Sequence, residues 1–294
     1  ILQMSSGVLF NEDYADPNSD INKFGRAVAA GTSFRDFAKT LTNHKEQGTY
    51  NHYVSIDSQM LGFLLVEVTG MPLREYLHKH IWEKIGMEDD AYYLSDDKDV
   101  DMALGGLNAT LRDYAKFGLL WSHDVGLEET YGTNVIGNGK WEGEQLVSSS
   151  WLAAAREPAV VTTFADYIYY GYHMYKATKL VSPASLDNNE LTVDVFSAKG
   201  FNDNSIWWIP EYDLVVARHG LYTPILNDGN EKVVKGDISG NPALTNKDSS
   251  NYFGNVFFGS LVETSAGYKP YNANWSWTSL NDEHMLKKII EAVN

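Results

Sequence analysis

The sequence predicts an α+β protein, and three observations predict it. Through roughly the first 160 residues, apolar side chains recur at the three-and-four spacing of amphipathic helices. The period then shortens to two, in brief runs rich in Tyr, Val, Ile and Trp that are divided by Gly, Asn, Asp and Pro, as in an antiparallel meander. A last amphipathic stretch closes the chain. The expected organisation is a mainly helical domain over 1–160, followed over 161–294 by the C-terminal part of an α/β domain with an insertion at about 221–277.

The elements follow in order. The first thirty residues are rich in Asn, Asp and Gly and read as loop. Ser33 caps a stripe of Phe34, Phe37, Ala38 and Leu41. Ile56, Met60, Phe63, Leu64 and Val68 form the next helical face, which Gly70 stops, and Pro72 opens another helix carrying Leu73, Tyr76, Leu77 and Ile81. Residues 89–101 are an acidic loop. Thr110 opens a helix bearing Leu111, Tyr114, Ala115, Gly118 and Leu119, and Trp151 to Arg156 suggests one more. Tyr167 to Tyr175 is aromatic and β-prone, and Leu191–Ala198, Asn204–Ile209 and Asp213–Arg218 read as strands. The stretch at 221–277 has only short apolar runs and reads as an insertion or lid, since a structureless loop of that length is unusual inside a domain. Leu280, Met285, Ile289, Ile290 and Val293 mark the closing helix.

Composition removes several functions. Thirty-nine acids against 23 Lys and Arg give a net charge of −16, which repels nucleic-acid phosphates and anionic lipid. No apolar run approaches the length that spans a bilayer. The chain has no cysteine, so disulfides, thiolate metal sites and cysteine nucleophiles are excluded. His78-Lys79-His80 lacks the i, i+4 spacing of a helical metal pair, and Asn227-Asp228-Gly229-Asn230-Glu231 lacks the spacing of calcium ligands; no metal or cofactor is expected.

Five segments in a fixed order carry a family likeness. They are Leu2-Gln3-Met4-Ser5-Ser6-Gly7; Tyr53-Val54-Ser55 with the helix behind it; Gly70-Met71-Pro72-Leu73 through Ile85-Gly86-Met87; Gly105-Gly106-Leu107-Asn108-Ala109-Thr110 through Gly118; and Phe196-Ser197-Ala198-Lys199-Gly200 followed by Trp208-Ile209-Pro210. Together they resemble the serine β-lactamase and penicillin-binding-protein family, most nearly its class C relatives, family VIII-type esterases and hydrolases of small linear amides such as the 6-aminohexanoate dimer. The resemblance implies a β-lactamase/transpeptidase-like fold, a helical domain beside an antiparallel sheet flanked by helices, with the catalytic cleft between.

It also implies chemistry. In that family a serine of a Ser-x-x-Lys helix attacks an amide, ester or β-lactam carbonyl and forms an acyl-enzyme, while the lysine and a motif tyrosine move protons. Carried across, Tyr53 is the general acid/base and Ser55 its polar partner, with Ser55 also a possible cap for the Ile56 helix. Ala198, Lys199 and Gly200 stand at the third motif, the Phe201 N–H is the oxyanion donor, and Trp208 walls the substrate site.

Two departures stand beside the likeness. The one Ser-x-x-Lys, Ser95-Asp96-Asp97-Lys98, lies in the acidic loop rather than on an apolar helix and reads as chance. Where relatives carry Lys, His or Trp, two residues before the Gly, this chain has Ala198; strand alternation sends Lys199 to the opposite face. The expectation is therefore a C-terminal fragment, inactive alone, of a periplasmic or secreted hydrolase of a small amide or ester, with a missing N-terminal segment as its partner. The sheet should then be incomplete, with an open edge and exposed apolar surface. The alternative is a non-catalytic relative that binds a peptide or cell-wall ligand in the same cleft.

Overall fold

The change of period near residue 160 becomes a change of architecture. The computed structural model describes residues 1–13, 16–122, 136–158, 167–182, 189–200, 204–219, 232–233, 261–264, 267–270 and 282–293. Its helices are α1 (Asp20–Ala29), α2 (Phe34–Ala38), α3 (Ser55–Thr69), α4 (Leu73–Leu77, continuing into a π-helical turn at His78–Trp82), α5 (Leu111–Trp121), α6 (Ser149–Arg156) and α7 (Asp282–Val293).

Two short hairpins lie among the helices: β1 (Tyr92–Tyr93) with β2 (Leu107–Asn108), and β3 (Lys140–Trp141) with β4 (Glu144–Gln145). The main sheet is an antiparallel meander of β5 (Ile168–Tyr170), β6 (Tyr175–Val181), β7 (Glu190–Lys199), β8 (Ser205–Ile209) and β9 (Leu214–Arg218), in that spatial order. Within the expected insertion, β10 (Lys232–Val233), β11 (Leu261–Thr264) and β12 (Gly267–Pro270) pair as a second antiparallel sheet. The rest of 221–277 lies outside the described residues.

Alternation along β7 splits the core in two. Val193 and Val195, with Trp207, Ile209 and Leu180, pack under Leu286 and Ile290 of α7. Phe196, Ile206 and Trp208 point the other way, against Tyr114, Phe117 and Trp121 of α5 and Ala155 of α6. The sheet thus carries helices on both faces, the arrangement that covers its apolar sides.

Two local expectations are corrected. The first thirty residues are not all loop, because α1 forms there. Ser19 caps it by accepting from Asn22 N–H, and Ile21 and Phe24 are buried one turn apart. With so few apolar residues in ten, and Gly25 among them, the helical period was too short to stand out. The β-prone run Tyr167 to Tyr175 forms a hairpin, β5 leading into β6, with its turn at Gly171–Met174. The apolar face expected of α3 is only half buried: Ile56 and Phe63 are core, while Met60, Leu64 and Val68 are 38%, 55% and 76% exposed.

What positions the site is the docking of the first residues onto the start of α3. His52 N–H donates to Met4 O (2.7 Å), Asn51 Nδ2 to Gln3 O (2.7 Å) and His44 N–H to Gly7 O (2.8 Å). Gly7 has φ of +76°, and a Cβ there would lie 2.2 Å from Lys45 O, so only glycine lets the two segments run this close. Farther along α3, the buried Gln59 anchors the helix by donating to Asp101 O (3.0 Å) and accepting from Ala103 N–H (2.8 Å).

Candidate active site

Ser55 is the first residue of α3, and the preceding Val54 offers no side-chain cap. The capping is done from a distance. Glu12 places one carboxylate oxygen on Ser55 N–H and the other 3.1 Å from Ser55 Oγ. A carboxylate at a helix start satisfies a free N–H and meets the positive end of the helix dipole. The local expectation that Ser55 itself caps the helix therefore gives way to a residue 43 positions upstream. No sequence pattern signalled Glu12, because the pairing is long-range.

Tyr53 is half-buried beside this pair, with its phenol near the Ser55 side chain. Met4, Tyr170 and Tyr175 close around it, with the Tyr170 ring edge-on at 6.3 Å. Burial, then the Glu12 charge, push the Tyr53 phenol up to about 12, partly offset by Ser55. Tyr170 and Tyr175 are pushed well above the ordinary value, again by burial first. Tyr53 is thus a neutral phenol at physiological pH, suited to giving a proton. Taking one requires a cation nearby, and no Lys or Arg bears on Tyr53 among the described residues.

Asp57, one turn along α3 from Tyr53, is fully buried and hydrogen-bonded to Ser6. Burial raises its pKa against that bond. The first two motifs of the sequence thus meet in space: Met4 packs on the tyrosines, and Ser6 holds Asp57.

The other expected residues separate. Ala198 joins the cluster against α5 and α6, whereas Lys199 lies on the α7 face with its Nζ 5.9 Å from the Trp207 ring. Ser197, Lys199 and Tyr175 share a narrow cavity of about 80 Å³ with Glu283 and Leu286, so Tyr175 links that cavity to Tyr53. Trp208 is 3% exposed and stacks on Phe196 at 6.2 Å, so its ring fills the core and does not wall the Tyr53 site. Gly200 ends β7, its N–H bonded to Asn204 O (2.7 Å). Phe201, the expected oxyanion donor, lies outside the described residues. The large groove of about 770 Å³ is elsewhere, between α6 and the other face of β6 and β7, and is lined by none of Tyr53, Ser55, Ala198, Lys199, Gly200 and Trp208.

Ser95 and Lys98 are exposed in a turn built around Asp96, whose carboxylate accepts from the N–H groups of Phe34, Lys98 and Val100. That spacing serves structure. Among the described residues no His, Asp and Glu group is arranged to hold a metal, and no helix is long and apolar enough to cross a membrane.

His173, in the turn between β5 and β6, carries the site's pH signature. It has φ of +54°, donates its N–H to Leu2 O, and places Nδ1 3.4 Å from Ser58 Oγ. Burial pulls its imidazole down from 6.5 to about 4. The unfolded chain therefore binds this proton first, and stability falls as pH drops from about 6.5 to about 4, by up to about 3 kcal/mol. His173→Asn, a residue that tolerates positive φ, should flatten that slope in thermal unfolding at pH 7.5 and pH 5. An unchanged slope would assign the acid sensitivity to other groups.

Comparison with known proteins adds the following. A family model described as Beta-lactamase matches residues 1–219. Over 159 residues the chain is 26% identical to the 6-aminohexanoate-dimer hydrolase of Paenarthrobacter ureafaciens, covering 52% of this chain and 37% of that protein. A solved structure from Bacillus anthracis, provisionally named a 6-aminohexanoate-dimer hydrolase, superposes with a TM-score of 0.53 at 19% identity, over 74% of this chain and 53% of that one. The octameric penicillin-binding protein homologue of Pyrococcus abyssi gives 0.47 at 19% identity, over 74% and 49%. The chain spans little more than a third of the curated relative and about half of the first structure. At these identities the structural likeness shows the fold.

Proposed function

The chain belongs to the beta-lactamase family, and on that premise we propose that it carries the tyrosine side of an acyl-enzyme site that cleaves a small amide or ester. The observation that carries this reading is the Tyr53 phenol, packed with Tyr170 and Tyr175 beside a serine that Glu12 holds at a helix start. A neutral phenol so placed can hand its proton to a departing amine or alkoxide, which lowers the barrier to breaking the acyl bond.

In this reading the nucleophilic serine and its lysine come from polypeptide outside residues 1–294. Three observations support it. The chain's own Ser-x-x-Lys is an exposed turn. The cation that Tyr53 needs as a base is absent from its described surroundings. Met60, Leu64 and Val68 form an apolar row along the outside of α3, a surface suited to being covered by another helix. The anionic and aromatic surroundings of Tyr53, with Lys199 turned toward α7, favour a linear amide or ester over a substrate that must anchor a ring carboxylate. The relative named for 6-aminohexanoate-dimer hydrolysis is consistent with that class.

The test is covalent labelling. The 294-residue chain and a version extended by its upstream coding sequence are each treated with a fluorophosphonate and read by intact mass. We expect one label, on a serine upstream of Ile1, only in the extended protein, which should also hydrolyse a linear 6-aminohexanoate amide. Labelling of a serine within the 294 residues would overturn the division of the site. No labelling of the extended protein would leave the second reading, a non-catalytic ligand-binding relative, which Ala198 at the third motif favours.

A further inference from the structure

We propose that the chain carries a second ligand site, a small pocket for a monocarboxylic acid with a short apolar chain, on the side of the Tyr53 backbone turned away from the tyrosines. The inference does not rest on the catalytic reading of Tyr53.

The pocket lies between the segment that starts at Ser6 and the loop that leads into α3, and has a volume of about 170 Å³. His44, Lys45, Tyr50 and His52 supply its polar lining, and Val8 and Phe10 are among its apolar residues. The chain enters α3 extended, with φ of −143° and ψ of 122° at Val54. Successive side chains of an extended segment point to opposite sides. His52 and Val54 accordingly both line the pocket, while Tyr53 between them packs with Met4, Tyr170 and Tyr175. The two sites stand back to back across one stretch of backbone.

Charge selects the ligand. The chain as a whole carries −16, yet no Asp or Glu is among the residues that line this pocket. Lys45 Nζ lies 3.5 Å from the centre of the Tyr50 ring, and the His52 ring stacks on the same tyrosine at 6.0 Å. Other exposed lysines pair with carboxylates, such as Lys39 with Asp36 and Lys84 with Glu144. Lys45 makes no ion pair among the described residues. Asp57, which feels the His52 charge, is buried in α3 and is not part of the lining. An ammonium held over an aromatic ring, with two imidazoles beside it to donate further hydrogen bonds, fits a carboxylate. Val8, Phe10 and Val54 give the acid's carbon chain an apolar bed.

Size and order narrow the choice. The volume is below the range of pockets for drug-sized ligands, so an acid of a few carbons fits and a peptide does not. The cationic loop is fixed before a ligand arrives. The N–H groups of His44 and Lys45 both donate to Gly7 O (2.8 and 3.1 Å), and Gly48 N–H donates to Ser5 O (2.8 Å). Such preorganisation reduces the ordering cost of binding.

The experiment is a titration of the full-length protein with pentanoate, followed by amide shifts in ¹H–¹⁵N NMR. Saturable shifts are expected at residues 6–10 and 44–54. Pentanamide, which has the same shape without the charge, should bind about tenfold more weakly, as should pentanoate to Lys45→Met, whereas Lys45→Arg should stay within about threefold. Tyr53→Phe should leave the affinity within about twofold, because that side chain faces the other way. No saturable shift, or equal affinity for pentanamide, would overturn the proposal. Equal affinity for inorganic phosphate would also overturn it, by showing a general anion patch. Loss of binding in Tyr53→Phe would place the acid in the tyrosine site instead. Should Lys45→Met fail to fold, the comparison of pentanoate with pentanamide on the unaltered protein decides.

Discussion

Tyr53→Phe should lower kcat of the complete enzyme by roughly two to four orders of magnitude, the usual contribution of a placed acid or base. In the proposed reading the phenol moves the proton, and phenylalanine keeps the ring packed against Tyr170 and Tyr175 while deleting the hydroxyl. Because the proton moves in the transition state, kcat and kcat/KM should fall together with KM little changed. Stability should change by no more than about 1 kcal/mol, since the packed ring is kept. Steady-state kinetics with a linear amide and with an activated ester check this. The ester should suffer less, since its leaving group has less need of a proton. A loss below tenfold on both substrates would remove Tyr53 from the mechanism. Tyr172→Phe is the control, because Tyr172 packs on Trp151 and away from Ser55.

The second large effect concerns the hairpin that walls the site. Gly171→Ala should destabilise the protein by about 3 kcal/mol, at the upper end for overpacking. A Cβ on Gly171 would sit 1.9 Å from the carbonyl oxygen of Ala155 and 3.0 Å from its carbon, both backbone atoms near the end of α6. Ala155 is itself fully buried and accepts from Tyr172 N–H (2.9 Å), so neither side has room to yield without breaking that bond. Relief would come from lifting the β5–β6 turn, which carries Tyr170 and Tyr175 away from Tyr53, so activity should fall with stability. Chemical denaturation measures the loss. Gly105→Ala is the matched control: an exposed turn glycine with nothing within 4 Å of an added Cβ, expected to change stability by no more than about 0.5 kcal/mol. Equal losses at the two positions would mean that the hairpin is not pinned to α6.

The features legible in the sequence are those whose cause lies within a turn or a strand of chain. Ser33 and Thr110 cap α2 and α5 by accepting from Asp36 and Asp113 N–H, each three residues on. Gly70 ends α3 with φ of +68°, as a left-handed terminator should. The alternation in β7 separates Ala198 from Lys199 as period two requires. Tyr53-Val54-Ser55 could be placed at the opening of a helix because an apolar helical face follows it. The misses have the opposite character. Trp208, next to a motif, is core because α5 and α6 cover that face of the sheet. Met60, Leu64 and Val68 have helical spacing but no partner face among the described residues, which spacing cannot reveal.

By itself, then, the sequence determined the α+β class, the order of the family motifs and the candidate tyrosine, since periodicity, caps and short motifs are properties of neighbouring residues. Only the tertiary structure decided the composition of the site. It brought Glu12 to the start of α3 and the tyrosines of the β5–β6 hairpin to Tyr53, and it left Ser95 and Lys98 at the surface. The physical reason is that a phenol's readiness to give up its proton depends on burial and on charges across space. Those are set by which distant segments pack together, and no local pattern in the chain records that.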